Sequence, residues 1–243
     1  MVEAAVILVA GVGSRLRPIT DTRPKALAPV GDETILGRAV RLLLDFGVQR
    51  LILATGYRED AVRLALGGLE SEVRFCPNPR YETTQNSVSL ALCRAAVDGR
   101  SFFKLDGDVV FDAELLARIA APRAELSAGV DSSRKLDEEA MKVVVEGSRI
   151  TRFGKAVPLA ASHGESIGIE RIDSSASDKL FDALDAQIAS GQTQLYYEDV
   201  YSQMIERGQL VAEVADVSGL RWTEVDTFED LEAARRLFGA TSA

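Results

Sequence analysis

LVAGVGSRLRPITDTRPK, Leu8 to Lys25, is the stretch on which the reading of this chain turns. It opens as the end of an apolar run, Ala4–Ala10, and passes directly into a loop rich in glycine and arginine. Gly11 and Gly13 let the backbone turn tightly and bring its N–H groups close to a polyanion. From Ser14 to Lys25 the loop carries Arg15, Arg17, Arg23 and Lys25 against the single acid Asp21. Pro18 and Pro24 stiffen it and lower the ordering cost of binding. Two better-known glycine motifs are excluded: the third glycine of a dinucleotide fingerprint is missing, and so is the Gly-Lys-Ser/Thr ending of a P-loop. A basic, glycine-turned loop at the end of a strand fits a triphosphate. Glycine pairs alone would be an ordinary strand-to-helix turn.

Outward from this loop, the first half alternates short apolar runs with amphipathic stretches. Leu51–Ala54, Val73–Cys76 and Phe102–Leu105 read as buried strands. Thr34–Phe46, followed by the stop signal Gly47, and Glu59–Leu66 and Asn86–Val97 have helical spacing. Buried strands alternating with helices predict an α/β fold, with a doubly wound, mostly parallel, Rossmann-like sheet whose ligands sit at the carboxyl ends of its strands. The second half is less regular. Ser127–Asp131, Met141–Glu146 and Arg149–Phe153 read as strands, the last two joined by a Gly147-Ser148 turn; Ser174–Ile188 and Glu198–Arg207 read as helices. Leu210–Val217 reads as a strand before a last helix over Thr227–Leu237 capped by Thr227. No repeat or linker divides the 243 residues, so one domain over 1–243 is expected, with a small mixed β insertion at roughly 125–200 facing the substrate.

Composition narrows the partners. With 47% hydrophobic and 27% charged residues the chain is an ordinary globular one. A net charge of −9 gives no global attraction for nucleic acid or an anionic membrane surface, so an anion must be held by the local basic cluster. Cys76 and Cys93 lack metal-site spacing and read as reduced core thiols of a cytoplasmic protein. Ala4–Ala10 is too short to span a bilayer and lacks the flanks of a signal peptide. A homo-oligomer is compatible with this composition.

Two carboxylate motifs accompany the loop. Asp106-Gly107-Asp108 follows a predicted strand, where an acid is well placed to hold Mg²⁺, although Asp and Gly also simply favour turns. Trp222-Thr-Glu-Val-Asp-Thr227 precedes the last helix, where Asp226 would also suit the helix dipole.

Leu8–Lys25 resembles the signature AAGxGxRxxPxT…PKxL of the sugar-phosphate and alcohol-phosphate nucleotidyltransferases. Ala10, Gly11, Gly13, Arg15, Pro18, Thr20, Pro24, Lys25 and Leu27 match, and Val9 stands where the family has alanine. Trp222–Thr227 resembles the family's closing W-x-[DE]-[IV]-D-T. The resemblance implies a Mg²⁺-dependent nucleotidyltransferase domain with Asp108 and Asp226 as metal ligands. It implies nucleotide contacts from Leu8, Ala10, Gly11, Gly13, Ser14, Arg15, Lys25 and Asp106, with Arg15 and Lys25 neutralising the phosphates.

The likeness is greatest to bacterial phosphocholine and aminoalkylphosphonate cytidylyltransferases. Thr84–Leu90 resembles their base-recognition turn, with Asn86 and Ser89 as the contacts; a helix cap at Asn86 or Ser87 is the plainer alternative. Glu139–Val143, Gly154-Lys155, Gly164–Gly168 and Tyr196-Tyr197-Glu198 carry the rest of the likeness. By that resemblance Lys155 seats and activates an acceptor phosphate, with Glu139, Lys142, Glu165 and Trp222 beside it, and Tyr197 and Glu198 hold an ammonium group by cation–π contact and charge. The implied reaction is transfer of CMP from CTP to a phosphorylated or phosphonylated amino alcohol with loss of pyrophosphate. Two rivals stay open: a sugar-1-phosphate transferase using UTP, dTTP or GTP, and a non-catalytic nucleotide-binding regulatory subunit. The lone histidine, His163, lies in a polar loop and reads as a surface residue.

Overall fold

A computed structural model describes residues 2–69 and 73–239. The first half runs β1 (Ala4–Leu8), two short strands β2 (Pro29–Val30) and β3 (Glu33–Thr34), α1 (Ile35–Phe46), β4 (Arg50–Thr55), α2 (Glu59–Ala65), β5 (Val73–Pro77), α3 (Asn86–Ala91), α4 (Arg94–Val97) and β6 (Phe102–Asp106). The second half runs β7 (Val109–Phe111), α5 (Glu114–Ala120), β8 (Leu126–Asp131), β9 (Lys142–Glu146), β10 (Arg149–Gly154), β11 (Gly164–Ile172), α6 (Ser174–Ala189), α7 (Tyr197–Glu206), β12 (Ala212–Asp216), β13 (Trp222–Glu224) and α8 (Phe228–Phe238).

Side-chain alternation on the strands divides the core. Ala5, Ile7, Leu51, Leu53, Phe103 and Leu105 face one way, against α1, α2 and α5. Ala4, Val6, Ile52, Ala54 and Phe102 face the other way, against α3, α4, α6 and α7. Helices therefore cover both sheet faces, as the unbroken apolar strands require. Local signals set the helix ends. Thr34 accepts a hydrogen bond from Gly37 N–H and starts α1, and Gly47 at φ 105° ends it. Thr227 and Asp230 form the capping box of α8. The expected helix Asn86–Val97 is instead two helices, because Cys93 N–H bonds back three residues to Leu90 and Leu92 turns to solvent.

The sheet order is β5-β4-β1-β6-β11-β8-β12-β10-β9 among the described residues. β1, β4, β5 and β6 are parallel, and β12 is parallel to β8. β11, however, runs antiparallel between β6 and β8, and β10 is antiparallel to both β12 and β9. The sheet is thus mixed rather than mostly parallel. The irregular middle of the sequence also supplies central strands, since β8 and β11 belong to the same sheet as β1.

β11 escapes a reading by polarity because its sequence, GESIGIERI, buries charge. Glu170 and Lys104 are both fully buried and stand opposite one another in register, with Lys104 Nζ 2.8 Å from Glu170 Oε2. Such a pair tolerates removal of one partner badly, because the other charge stays in the core. Glu170→Leu is expected to lower unfolding stability by about 3–5 kcal/mol in a urea titration. The double change Lys104→Met, Glu170→Leu should recover only part of the loss, because Lys104 also pairs with Asp106.

Candidate active site

Parallel pairing of β1 with β6 sets Leu8 beside Asp106, so the glycine loop and the Asp106–Asp108 turn leave the sheet side by side. A second, two-stranded pairing brings in the distant motif. β13 runs antiparallel to β7 with Glu224 opposite Val109, and Val225 N–H donates to Asp108 C=O at 3.0 Å. Asp230, the cap partner of α8, also accepts from Asp226 N–H, which fixes the backbone of Asp226 at the end of this ladder. Asp108 and Asp226 are thereby brought together across more than a hundred residues.

Between them lies Lys25. Its Nζ is 2.6 Å from Asp108 Oδ2 and 2.5 Å from Asp226 Oδ1, and Arg15 donates to the other oxygen of Asp226 at 2.7 Å. Burial opposes the charge on Lys25, but the two aspartates outweigh it and raise its pKa. Burial likewise opposes ionisation of Asp226, and Lys25 and Arg15 hold it below its ordinary value. The loop is built to deliver Lys25. Gly13 takes a left-handed conformation at φ 68°, and a Cβ there would stand 2.6 Å from Lys25 Cβ. The carbonyl of Gly13 accepts from the buried Thr20 hydroxyl, and Tyr57 OH donates to Thr20 C=O.

Glu224, which the sequence reading passed over, completes a cluster. Oxygens of Asp108, Glu224 and Asp226 lie within 4.8 Å of one another. Glu224 reaches the water of the cleft, yet the surrounding protein and its two acidic neighbours push its pKa up to about 8. Its signal was present: Glu224 and Asp226 are two apart on an extended segment, which aims both to one side. Three hard oxygen donors, with Asp108 Oδ1 buried and unpartnered, fit a divalent cation such as Mg²⁺.

The cleft above these groups holds about 700 Å³. Leu8, Ala10, Gly11, Arg15, Asn86, Ser89 and Asp106 line it, whereas Gly13, Ser14 and Lys25 are not among its lining residues. Asn86 Oδ1 accepts from Tyr197 N–H, and Ser89 Oγ accepts from Asn78 Nδ2. Neither Asn86 nor Ser87 caps α3; Gln85 takes that position. Both oxygens of Asp106 are already bound, one by Lys104 Nζ at 3.3 Å and one by Tyr197 OH at 2.7 Å. Gly168 makes room for this carboxylate: at φ 73°, a Cβ there would stand 2.5 Å from Asp106 Oδ2.

Glu139, Lys155, Glu165, Glu198 and Trp222 line the same cleft, with Arg134, Asp137 and Tyr196. Two expected acceptor contacts lie elsewhere. Tyr197 is fully buried, and its ring already covers the ammonium of Lys104 at 3.6 Å from the centroid. Lys142 is buried too, with Nζ spent on the backbone carbonyls of Asp137, Glu138 and Ala140. Trp222 presents a face to Arg134 at 3.9 Å and donates its indole N–H to Asp131. The aromatic ring that stands over a cleft lysine is Tyr196, 5.5 Å from Lys155 Nζ. His163 is exposed and outside the cleft.

This geometry agrees with the kinship of the chain. Residues 5–165 match the family model of the MobA-like NTP transferase domain, and the chain belongs to that family. It is 32% identical to a CMP-5'-(3-aminopropyl)phosphonate synthase of Streptomyces rubellomurinus, over 91% of this chain and 36% of that protein. It is 29% identical to a bifunctional IPC transferase and DIPP synthase of Aquifex aeolicus, over 100% of this chain and 53% of that protein. The chain thus spans between a third and about half of these curated relatives. An inositol-1-phosphate CTP transferase structure from T. maritima shares the fold with a TM-score of 0.81 at 24% identity, covering 100% of this chain and 98% of that one. Among the described residues no helix is long and apolar enough to cross a membrane.

Glu198 is 4% exposed, and burial with the nearby Asp106 pushes its pKa up to about 8. Folding therefore strengthens its hold on a proton. The stability this contributes is full below the ordinary carboxylate range and is lost as the pH rises through about 8. Comparing melting temperatures at pH 6 and 8.5, Glu198→Gln should lose less on the alkaline shift than the parent protein; an equal loss would contradict this placement.

Proposed function

We propose that this chain transfers CMP from CTP to a small phosphorylated or phosphonylated amino alcohol and releases pyrophosphate. The observation that carries the acceptor is Glu198, a buried acid whose Oε2 has no hydrogen-bond partner and which lines the same cleft as Lys155. A buried acid that keeps its proton up to about pH 8 and leaves one oxygen unpartnered is drawn to its charged form by a cation placed against it. Lys155, which lines the same cleft, suits the phosphate or phosphonate of the same small molecule. The aminopropylphosphonate in the name of the Streptomyces relative has this pairing of charges.

In the same cleft, the Gly11 backbone and Arg15 take the triphosphate, and Lys25 neutralises charge as it grows on the leaving pyrophosphate. Asn86 offers its amide N–H donors to the base or ribose. Mg²⁺ held by Asp108, Asp226 and Glu224 would supply charge neutralisation at the reacting phosphate. The acceptor oxygen attacks the α-phosphorus in line. A new P–O bond forms as the bond to the β-phosphate bridge breaks, and that oxygen leaves with the electron pair as pyrophosphate. An acceptor phosphate is already ionised near neutral pH, so Lys155 has to orient it and no side chain has to remove a proton.

The test is pyrophosphate release with CTP and, in turn, phosphocholine, phosphoethanolamine, 2-aminoethylphosphonate, inositol-1-phosphate and glucose-1-phosphate. The cationic acceptors should give the highest kcat/KM. Glu198→Gln should lower that value about tenfold or more for cationic acceptors while the KM for CTP changes little. Faster turnover of the neutral acceptors would transfer the assignment to a sugar- or polyol-phosphate enzyme.

A further inference from the structure

We propose that Lys25 is a resident counter-cation of the carboxylate cluster, which keeps a free divalent ion out until a triphosphate draws its ammonium away. The inference rests on assigning a divalent cation to Asp108, Glu224 and Asp226. It adds an order of events that this assignment does not contain: ion and triphosphate enter together.

The position is the first argument. Lys25 Nζ bridges Asp108 Oδ2 and Asp226 Oδ1 at 2.6 and 2.5 Å, within the cluster whose oxygens would ligate the ion. An ion shared by both aspartates and this ammonium cannot occupy one space. Charge is the second. The two aspartates carry two negative charges, and Lys25 and Arg15 bring two positive ones to these carboxylates, so the pocket is neutralised from within. A bare dication entering it meets repulsion from two cations at contact distance. A triphosphate reverses the balance, because it offers Lys25 and Arg15 new anionic partners beside the loop that bears them.

The stem supplies the mechanics. Lys25 Cβ is packed against Gly13, so the base of the side chain is fixed to the phosphate loop and only its far end has freedom to swing. Asp108 Oδ1, buried and without a hydrogen-bond partner, is a ligand oxygen that the lysine does not satisfy.

The experiment titrates Mn²⁺ into nucleotide-free protein and reads bound ion by electron paramagnetic resonance or calorimetry. The forms compared are the parent protein, Lys25→Met, Lys25→Gln and Lys25→Arg; Lys25→Gln keeps a polar tip should the methionine variant fold poorly, and circular dichroism checks each. Removing the charge should tighten Mn²⁺ binding about tenfold or more, whereas Lys25→Arg should stay close to the parent. Adding CTP to the parent protein should raise its Mn²⁺ uptake above the sum of protein and CTP measured separately. Equal Mn²⁺ affinity in the parent, Met and Gln forms, abolished by Asp108→Asn, would overturn the role of Lys25 and leave the metal assignment standing. Absence of Mn²⁺ uptake in every form, with and without CTP, would overturn both.

Discussion

Everything at the active end of this molecule depends on one charge cluster, in which Lys25 and Arg15 meet Asp108, Asp226 and Glu224. Neither sign is tolerable alone. Three acids crowded within 4.8 Å repel one another, and a basic loop with no anion would be drawn into solvent. Together they hold the loop after β1 against the end of the β7–β13 ribbon. The N-terminal loop, the middle of the chain and its last strand and helix are joined at this point. On the proposed reading, an anion arriving at the loop would release the acids to take a cation.

Beneath this cluster is a second one, built into the sheet itself. Lys104 on β6 joins Asp106 and Glu170 and lies under the ring of Tyr197, whose hydroxyl returns to Asp106. The network holds the first aspartate of the Asp106–Asp108 turn by both oxygens and so fixes the direction in which Asp108 leaves the sheet. A buried network of this kind specifies geometry more than it adds stability. It also explains the left-handed Gly168 in the middle of the long central strand, since any side chain there would displace Asp106.

The sequence made the first cluster legible and hid the second. Gly11, Gly13, Arg15 and Lys25 fall within one loop and Asp108 closes a turn after a predicted strand, so local pattern singles them out, whereas Asp226 stands out through the resemblance of Trp222–Thr227 to a family motif. Glu224 was missed although its two-residue spacing from Asp226 carried the information. The Lys104–Glu170 pair and β11 could not be read locally, because each charge is acceptable in the core only through its partner on the neighbouring strand. The resemblance to cytidylyltransferases puts Tyr197 and Lys142 at the acceptor, yet at the start of α7 and of β9 they turn inward. The parallel pattern of the first half likewise held for β1, β4, β5 and β6 and failed where β11 reverses direction, a choice fixed by long-range pairing.

The central claim is that a single cleft seats a triphosphate against the basic loop and a charged acceptor against Glu198, and joins them. Phosphorus NMR of the reaction of CTP with 2-aminoethylphosphonate tests it most directly. The account predicts a pair of mutually coupled phosphorus signals, one of phosphonate and one of phosphate character, appearing with pyrophosphate in equal amounts. Release of pyrophosphate with only free CMP, or cleavage of CTP to CDP and inorganic phosphate, would contradict it.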